Sequence, residues 1–163
     1  LWFIEIIGLS VPYEPQLHVV LHQPEIHHNT GNIGRTCVAV GAKLWLVKPL
    51  GFNIDDASVR RAGLDYWELL ELEVVENWAD LVAQLPVESH WYFTKKGARS
   101  YSDVQYLRGA VMVFGSESQG LPDELLTRPE RCLRLPMRPE VRCLNLSNAA
   151  AVACYEALRQ WGG

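Results

Sequence analysis

The chain has 163 residues, 48% of them hydrophobic and 21% charged, enough for one well-buried core and too few for two ordinary domains. Fifteen Lys and Arg against 19 Asp and Glu give a net charge of -4, which excludes a protein that coats nucleic acid by bulk charge and leaves only a local basic surface. No run approaches the roughly 20 apolar residues needed to cross a bilayer, and the apolar opening has no basic flank of the signal-peptide kind, so a soluble, cytoplasmic protein is expected.

Residues 1–16 carry Pro12 and Pro15 ahead of the first convincing strand. They are read as an N-terminal extension or cloning remnant, with a single domain over 17–163. LHVVL at 17–21 is a short apolar strand. A helix from about Thr30 follows it and closes at Gly41, a residue type suited to the left-handed C-cap. LWLV at 44–47 is the next strand, then a Pro/Gly loop, a short helix around ASVRRAG closed by Gly63, and a strand near LELEVV. Asn77 is placed to cap the helix WADLVAQL. Strand WYF at 91–93, loop TKKGARS, strand AVMVF at 110–114, loop GSESQGLPDE, strand CLRLP, loop MRPEVRCLN and a final helix from about Ser147 to Trp161 complete the chain. Repeated β-α units of this size predict an α/β fold, a mostly parallel sheet flanked by helices on both faces. Such sheets bind ligands in the loops beyond the carboxyl ends of their strands.

Four such loops are rich in Gly, Asn, Ser and charge: PEIHHNTGNIGR, TKKGARS, FGSESQGLP and LPMRPEVRCLNLSN. In the first, GNIG satisfies neither the GxGxxG dinucleotide turn nor the GxxxxGK[ST] phosphate loop. Capping by Asn29 or Thr30 accounts for the polar residues but not for Arg35, a cation in the early turns of a helix whose amino end is already positive. An anion is therefore expected beside Arg35, either Glu117 or a substrate phosphate. His18 and His22 share a strand face, but no HExxH or Cys/His cluster supports a metal site. Ser116 and Ser118 lie in GSESQG, which is not a nucleophile elbow. Cys37, Cys132, Cys143 and Cys154 form no CxxC pair and are expected as reduced, mostly buried thiols. Asn145, Ser147 and Asn148 crowd one helix start where a single cap suffices, and the surplus points to ligand contact or a tight backbone crossing. The basic candidates for a local nucleic-acid surface are Arg60 and Arg61, then Lys95, Lys96 and Arg99, then Arg128, Arg131, Arg134, Arg138 and Arg142.

Taken together, PEIHHNTGNIGRTC, the PLGF to DYWE segment, FGSESQGLP and LPMRPEVRCLNLSNAAAVACYEALRQ resemble the SPOUT superfamily of knotted methyltransferases. The likeness is closest to the small single-domain tRNA (cytidine/uridine-34 2'-O)-methyltransferases, and it spans about residues 17–161. The resemblance implies a deep C-terminal trefoil knot, an exception to the rule against threaded chains. It implies that S-adenosylmethionine is held at Phe93, Gly115, Leu135 and Cys143, mostly through backbone groups, without a metal, and that two copies form a homodimer sharing the active site. The same resemblance makes Arg35 the group that activates the ribose hydroxyl. Guanidinium stays protonated, so Arg35 is read as a cation for the forming alkoxide. Glu117, Asn145, Ser147 and Asn148 complete the catalytic set by orienting and shaping it, and Lys95, Lys96, Arg138 and Arg142 are assigned to tRNA phosphates. His27 and His28 stand where proline is usual in that family, Gly34 where a bulkier residue is, and Cys143 where serine is common. The rival readings are a SPOUT enzyme for another tRNA or rRNA site, and a non-catalytic module that binds S-adenosylmethionine or RNA.

Overall fold

The computed structural model describes residues 3–6, 9–12, 14–54 and 64–163. The helix expected around ASVRRAG, with Arg60 and Arg61, lies outside the described residues. A short hairpin, β1 (Phe3–Ile6) and β2 (Leu9–Pro12), forms a two-stranded sheet of its own. Gln16 already belongs to the main body: its amide donates to the Gly41 carbonyl and its carbonyl accepts from Gly109.

The main sheet comprises β3 (Leu17–His22), β4 (Ala42–Val47), β5 (Leu72–Val75), β6 (His90–Phe93), β7 (Arg99–Ser100), β8 (Ala110–Phe114) and β9 (Cys132–Arg134). Its order is β5-β4-β3-β8-β6-β9-β7, and every pairing is parallel. Side chains alternate between the faces, as the strand period of two requires. Val19, Leu21, Leu44, Leu46 and Met112 fill one core, against α1 (His27–Val40) and α3 (Leu146–Gln160). Val20, Trp45, Val47, Val111 and Val113 fill the other, against Leu81 and Leu85 on and after α2 (Trp78–Gln84). The small residues of α3, Ala150, Ala153 and Ala157, are fully buried where it meets α1.

Strand order departs from chain order in the second half. From β6 the chain runs to the outer edge at β7, returns to the centre at β8, and then lays β9 between β6 and β7. This insertion demands close backbone passage: a Cβ on Gly97 would lie 2.5 Å from the Leu133 carbonyl carbon. β7 was expected as loop, and it is a strand only because β9 offers it a partner.

One boundary differs from expectation for a physical reason. Helix α1 begins at His27, three residues before Thr30, and Ile26 at its N-cap makes no side-chain bond. The cap comes from another loop, since Glu117 accepts from the Glu25 and Ile26 amides. At the other end Gly41 has φ 68 and closes the helix as expected. Asn77 likewise caps α2, accepting from the Asp80 amide at 3.0 Å. Gly34 makes room rather than a turn, because a Cβ there would come within 2.9 Å of Leu70.

Candidate functional site

The carboxyl ends of β3, β6, β8 and β9 open onto one region. The loop after β8 folds back on itself: the Gly120 amide donates to the Ser116 carbonyl at 2.9 Å, and Gly120 takes φ 71. Gly115 lies against that turn so closely that a Cβ would sit 2.0 Å from the Gly120 carbonyl carbon. Only a residue without a side chain fits there.

Two carboxylates lock this loop to the start of α1 in opposite directions. Glu25 accepts from the amide and hydroxyl of Ser118, at 2.9 and 2.6 Å. Glu117 accepts from the Glu25 amide at 2.8 Å, the Ile26 amide at 3.2 Å and the Asn29 side-chain amide at 3.0 Å. The two backbone amides belong to the N-cap Ile26 and the residue before it, so the Glu117 carboxylate stands at the positive end of the α1 dipole.

The chain of bonds continues into α3. Asn145 donates to the Asn29 side-chain oxygen at 2.9 Å. Its own oxygen accepts from the amide and hydroxyl of Ser147, at 2.9 and 2.6 Å, and from the Asn148 amide at 3.4 Å. Asn145 is thus the cap of α3 and a tether to α1 at once. Of the crowded polar residues, Ser147 donates its hydroxyl and Asn148 its backbone amide to Asn145.

Beside this network lies a cavity of about 520 Å³, lined by Phe93, Gly115, Leu135 and Cys143, with Glu117 and Asn145 on its wall and Lys95 and Lys96 at its margin. All four residues expected to hold a cofactor meet there, from three separate stretches of chain, Leu135 and Cys143 sharing the loop between β9 and α3. Phe93 and Phe114 stack at 4.6 Å between ring centroids and form an apolar wall. Lys96 is ion-paired with Asp123, while Arg138 and Arg142 are exposed in the loop between β9 and α3.

Arg35 stands apart from the cavity. It is exposed on α1, does not line the cavity, and holds its guanidinium 5.0 Å from the centroid of the Tyr66 ring. The expected pair with Glu117 is not formed, because that carboxylate is engaged by the start of α1 and by Asn29. Among the described residues no carboxylate forms an ion pair with Arg35. Asn29, expected from the sequence only as a possible helix cap, belongs to the site through Glu117 and Asn145. Its partners lie 88 and 116 residues away, and no local signal points to them.

The histidines weighed as metal ligands have other roles. His18 accepts from the Trp45 indole at 3.0 Å, and His22 packs edge-on against Trp78. Burial, with Lys43 and His90 nearby, pushes the His18 pKa down to about 4. Burial also lowers those of His22 and His90, the latter opposed by the Leu85 carbonyl and Glu88. Cys37, Cys132 and Cys154 are buried free thiols and Cys143 is exposed.

Comparison with known proteins places this geometry. The model of the SpoU rRNA methylase family matches residues 16–155. The tRNA (cytidine(34)-2'-O)-methyltransferase of Burkholderia cenocepacia (strain HI2424) is 50% identical over 149 residues, covering 89% of this chain and 96% of that protein. The enzyme of the same name from Methylovorus glucosotrophus (strain SIP3-4) is 49% identical over 144 residues, covering 87% and 94%. A solved structure described as "Structural insights into the 2-OH methylation of C/U34 on tRNA" superposes with a TM-score of 0.87 at 42% identity, covering 92% of this chain and 99% of that one. The chain belongs to the SpoU rRNA methylase family.

Proposed function

We propose that this protein is an S-adenosylmethionine-dependent methyltransferase that 2'-O-methylates the ribose of nucleotide 34, the wobble position, of tRNA. The observation that carries the reading is the convergence of Phe93, Gly115, Leu135 and Cys143 on one cavity, next to the Glu117–Asn29–Asn145 network. Relatives about 50% identical across nearly the whole chain carry that activity in their names.

The cavity suits the cofactor. About 520 Å³ lies within the range of small-molecule sites. The apolar Phe93–Phe114 wall suits the cofactor's organic body, and the side-chain-free backbone at Gly115 allows close approach of polar groups. When bound, S-adenosylmethionine supplies a methyl group already activated on a sulfonium. Glu117 and Asn145 hold the loop and the start of α3 in fixed register, so the cavity is preorganised before substrate arrives. Arg35 stabilises the ribose oxygen as its charge develops and fixes an adjacent phosphate, while the proton leaves to water or another acceptor.

Since Arg35 does not line the cavity of its own chain, this reading brings it to the site of a second copy, in a homodimer. Exposed Val152 and Tyr155 on α3 support such a surface. Lys95 and Lys96 line the cavity, Arg138 and Arg142 are exposed in the loop between β9 and α3, and all four would hold tRNA phosphates. The trefoil knot belongs to the same reading, supported by the placement of β9 between β6 and β7. No helix among the described residues is long and apolar enough to cross a membrane, and the cytoplasm is where tRNA would be met. The test is incubation with labelled S-adenosylmethionine and total cellular RNA. Label in tRNA supports the reading, and label confined to ribosomal RNA defeats it.

A further inference from the structure

The cations of this acidic chain fall into two groups. Of the 15 Lys and Arg, Arg60 and Arg61 lie outside the described residues. Lys43, Lys48, Lys96, Arg128 and Arg159 are each ion-paired, with Glu73, Glu76, Asp123, Glu130 and Glu156. Arg35 sits over Tyr66, and Arg108 bonds Gln16 and sits over Trp161. Like those two, Lys95, Arg99, Arg131, Arg134, Arg138 and Arg142 have no carboxylate partner among the described residues. All six lie on β7, on β9, or in the segments adjoining those strands.

Three of the six are held in place without being neutralised. Arg99 donates to the Asp103 carbonyl at 2.9 Å and the Glu130 carbonyl at 3.4 Å. Arg134 donates to the Gly97 and Ala98 carbonyls, at 3.0 and 2.6 Å. Arg131 lies 4.5 Å from the centroid of the Trp91 ring. A carbonyl or an aromatic face orients a guanidinium but leaves its full charge and several of its five donors for an outside anion. The carboxylates close by are Glu130, already paired with Arg128, and Asp103.

Protection of a sheet edge is the competing explanation for basic residues here. It accounts for Arg99 on edge strand β7. It does not account for Arg131 and Arg134, which flank and end β9, an interior strand. Arg99 lies opposite Leu133 in the β7–β9 register and donates to the Glu130 carbonyl, which sets its guanidinium near the Arg131 end of β9. The Gly97 loop bonded by Arg134 leads back to Lys95 at the cavity margin.

We infer that Arg131, Arg99 and Arg134 form a phosphate track along the β9–β7 edge, which seats the backbone of the RNA stem that presents the target nucleotide. The inference rests on the tRNA reading above and extends it to a surface outside the cavity. Its chemistry is that of a phosphodiester backbone, read by charge and spacing and indifferent to base sequence.

The test is tRNA binding by fluorescence anisotropy from about 50 to about 200 mM salt. Arg99→Gln/Arg131→Gln/Arg134→Gln is expected to weaken binding at least about tenfold at the lower salt and to flatten the log–log salt slope by about 2 to 3. S-adenosylmethionine affinity and turnover at saturating tRNA are expected to stay as in the wild type. Lys43→Gln/Lys48→Gln, which removes two paired cations elsewhere, is expected to leave the slope alone. If the triple variant folds poorly, Arg131→Gln, which breaks no hydrogen bond, is expected to lower the slope by about 1. Unchanged slope and affinity overturn the track. Because binding is read without turnover, loss of the methylation reading and loss of the track are separate outcomes.

Discussion

Gly115→Ala isolates the physical requirement on which the cofactor cavity depends. The added Cβ would stand 2.0 Å from the Gly120 carbonyl carbon and 2.2 Å from the Leu121 nitrogen. Both are backbone atoms with no rotamer to change, and real Cβ contacts stay beyond 3.0 Å, so the turn must move by more than an ångström. That turn carries Glu117, whose bonds to Glu25, Ile26 and Asn29 span only 2.8 to 3.2 Å and do not survive such a shift. Overpacking together with loss of charge-assisted bonds costs at least about 3 kcal/mol. If expressed on binding, that is a drop of more than about a hundredfold in cofactor affinity. If expressed on stability, it lowers the melting temperature by roughly 6–12 °C. Calorimetric titration with S-adenosylmethionine and a thermal melt measure the two together. Wild-type affinity with a wild-type melt would show that the Gly115–Gly120 contact is not what shapes the cavity.

Three other outcomes follow from the same geometry. Asn145→Ala removes the α3 cap and the Asn29 tether, so it should cost about 1–2 kcal/mol by denaturant unfolding, and Asn29→Ala on top of it should add less than it does alone; full additivity would mean the two side chains are not coupled. Cys143, the exposed thiol, should be alkylated first under native conditions and be protected by S-adenosylmethionine, whereas burial pushes Cys154 up to about 12 and leaves it inert until unfolding; peptide mapping by mass spectrometry reads both. His18, His22 and His90 have folded-state pKa values below the ordinary 6.5, so the unfolded chain binds protons first. Stability is then full above pH 6.5 and declines as pH falls toward about 4, the His18 value, with His18 contributing at most about 3 kcal/mol. Melting temperatures that rise between pH 7 and 5 would refute this.

The α/β alternation was legible because buried parallel strands read as unbroken apolar runs, as LHVVL and AVMVF do, and because Gly41 and Asn77 punctuate their helices locally. What escaped depends on distant partners. Two residues, Arg99 and Ser100, carry no period of their own and become a strand by pairing with β9. The true start of α1 was hidden because its cap, Glu117, sits about ninety residues downstream. In the site, the convergence of Phe93, Gly115, Leu135 and Cys143 was anticipated through family motifs, since no spacing rule joins three separate stretches of chain. Of the two anions expected beside Arg35, Glu117 or a substrate phosphate, Glu117 is already engaged within the chain by the amides at the start of α1 and by Asn29.

The central claim is a methyl group placed on the 2'-oxygen of tRNA nucleotide 34 with Arg35 supporting the transfer. Mass spectrometric mapping of ribonuclease digests, after treatment of tRNA with the wild type and with Arg35→Ala, tests it most directly. The expected result is a 2'-O-methyl mark at nucleotide 34 with the wild type and none with the variant, both proteins binding S-adenosylmethionine equally. A mark at another nucleotide or on a base, or an undiminished mark at 34 with Arg35→Ala, would contradict the account.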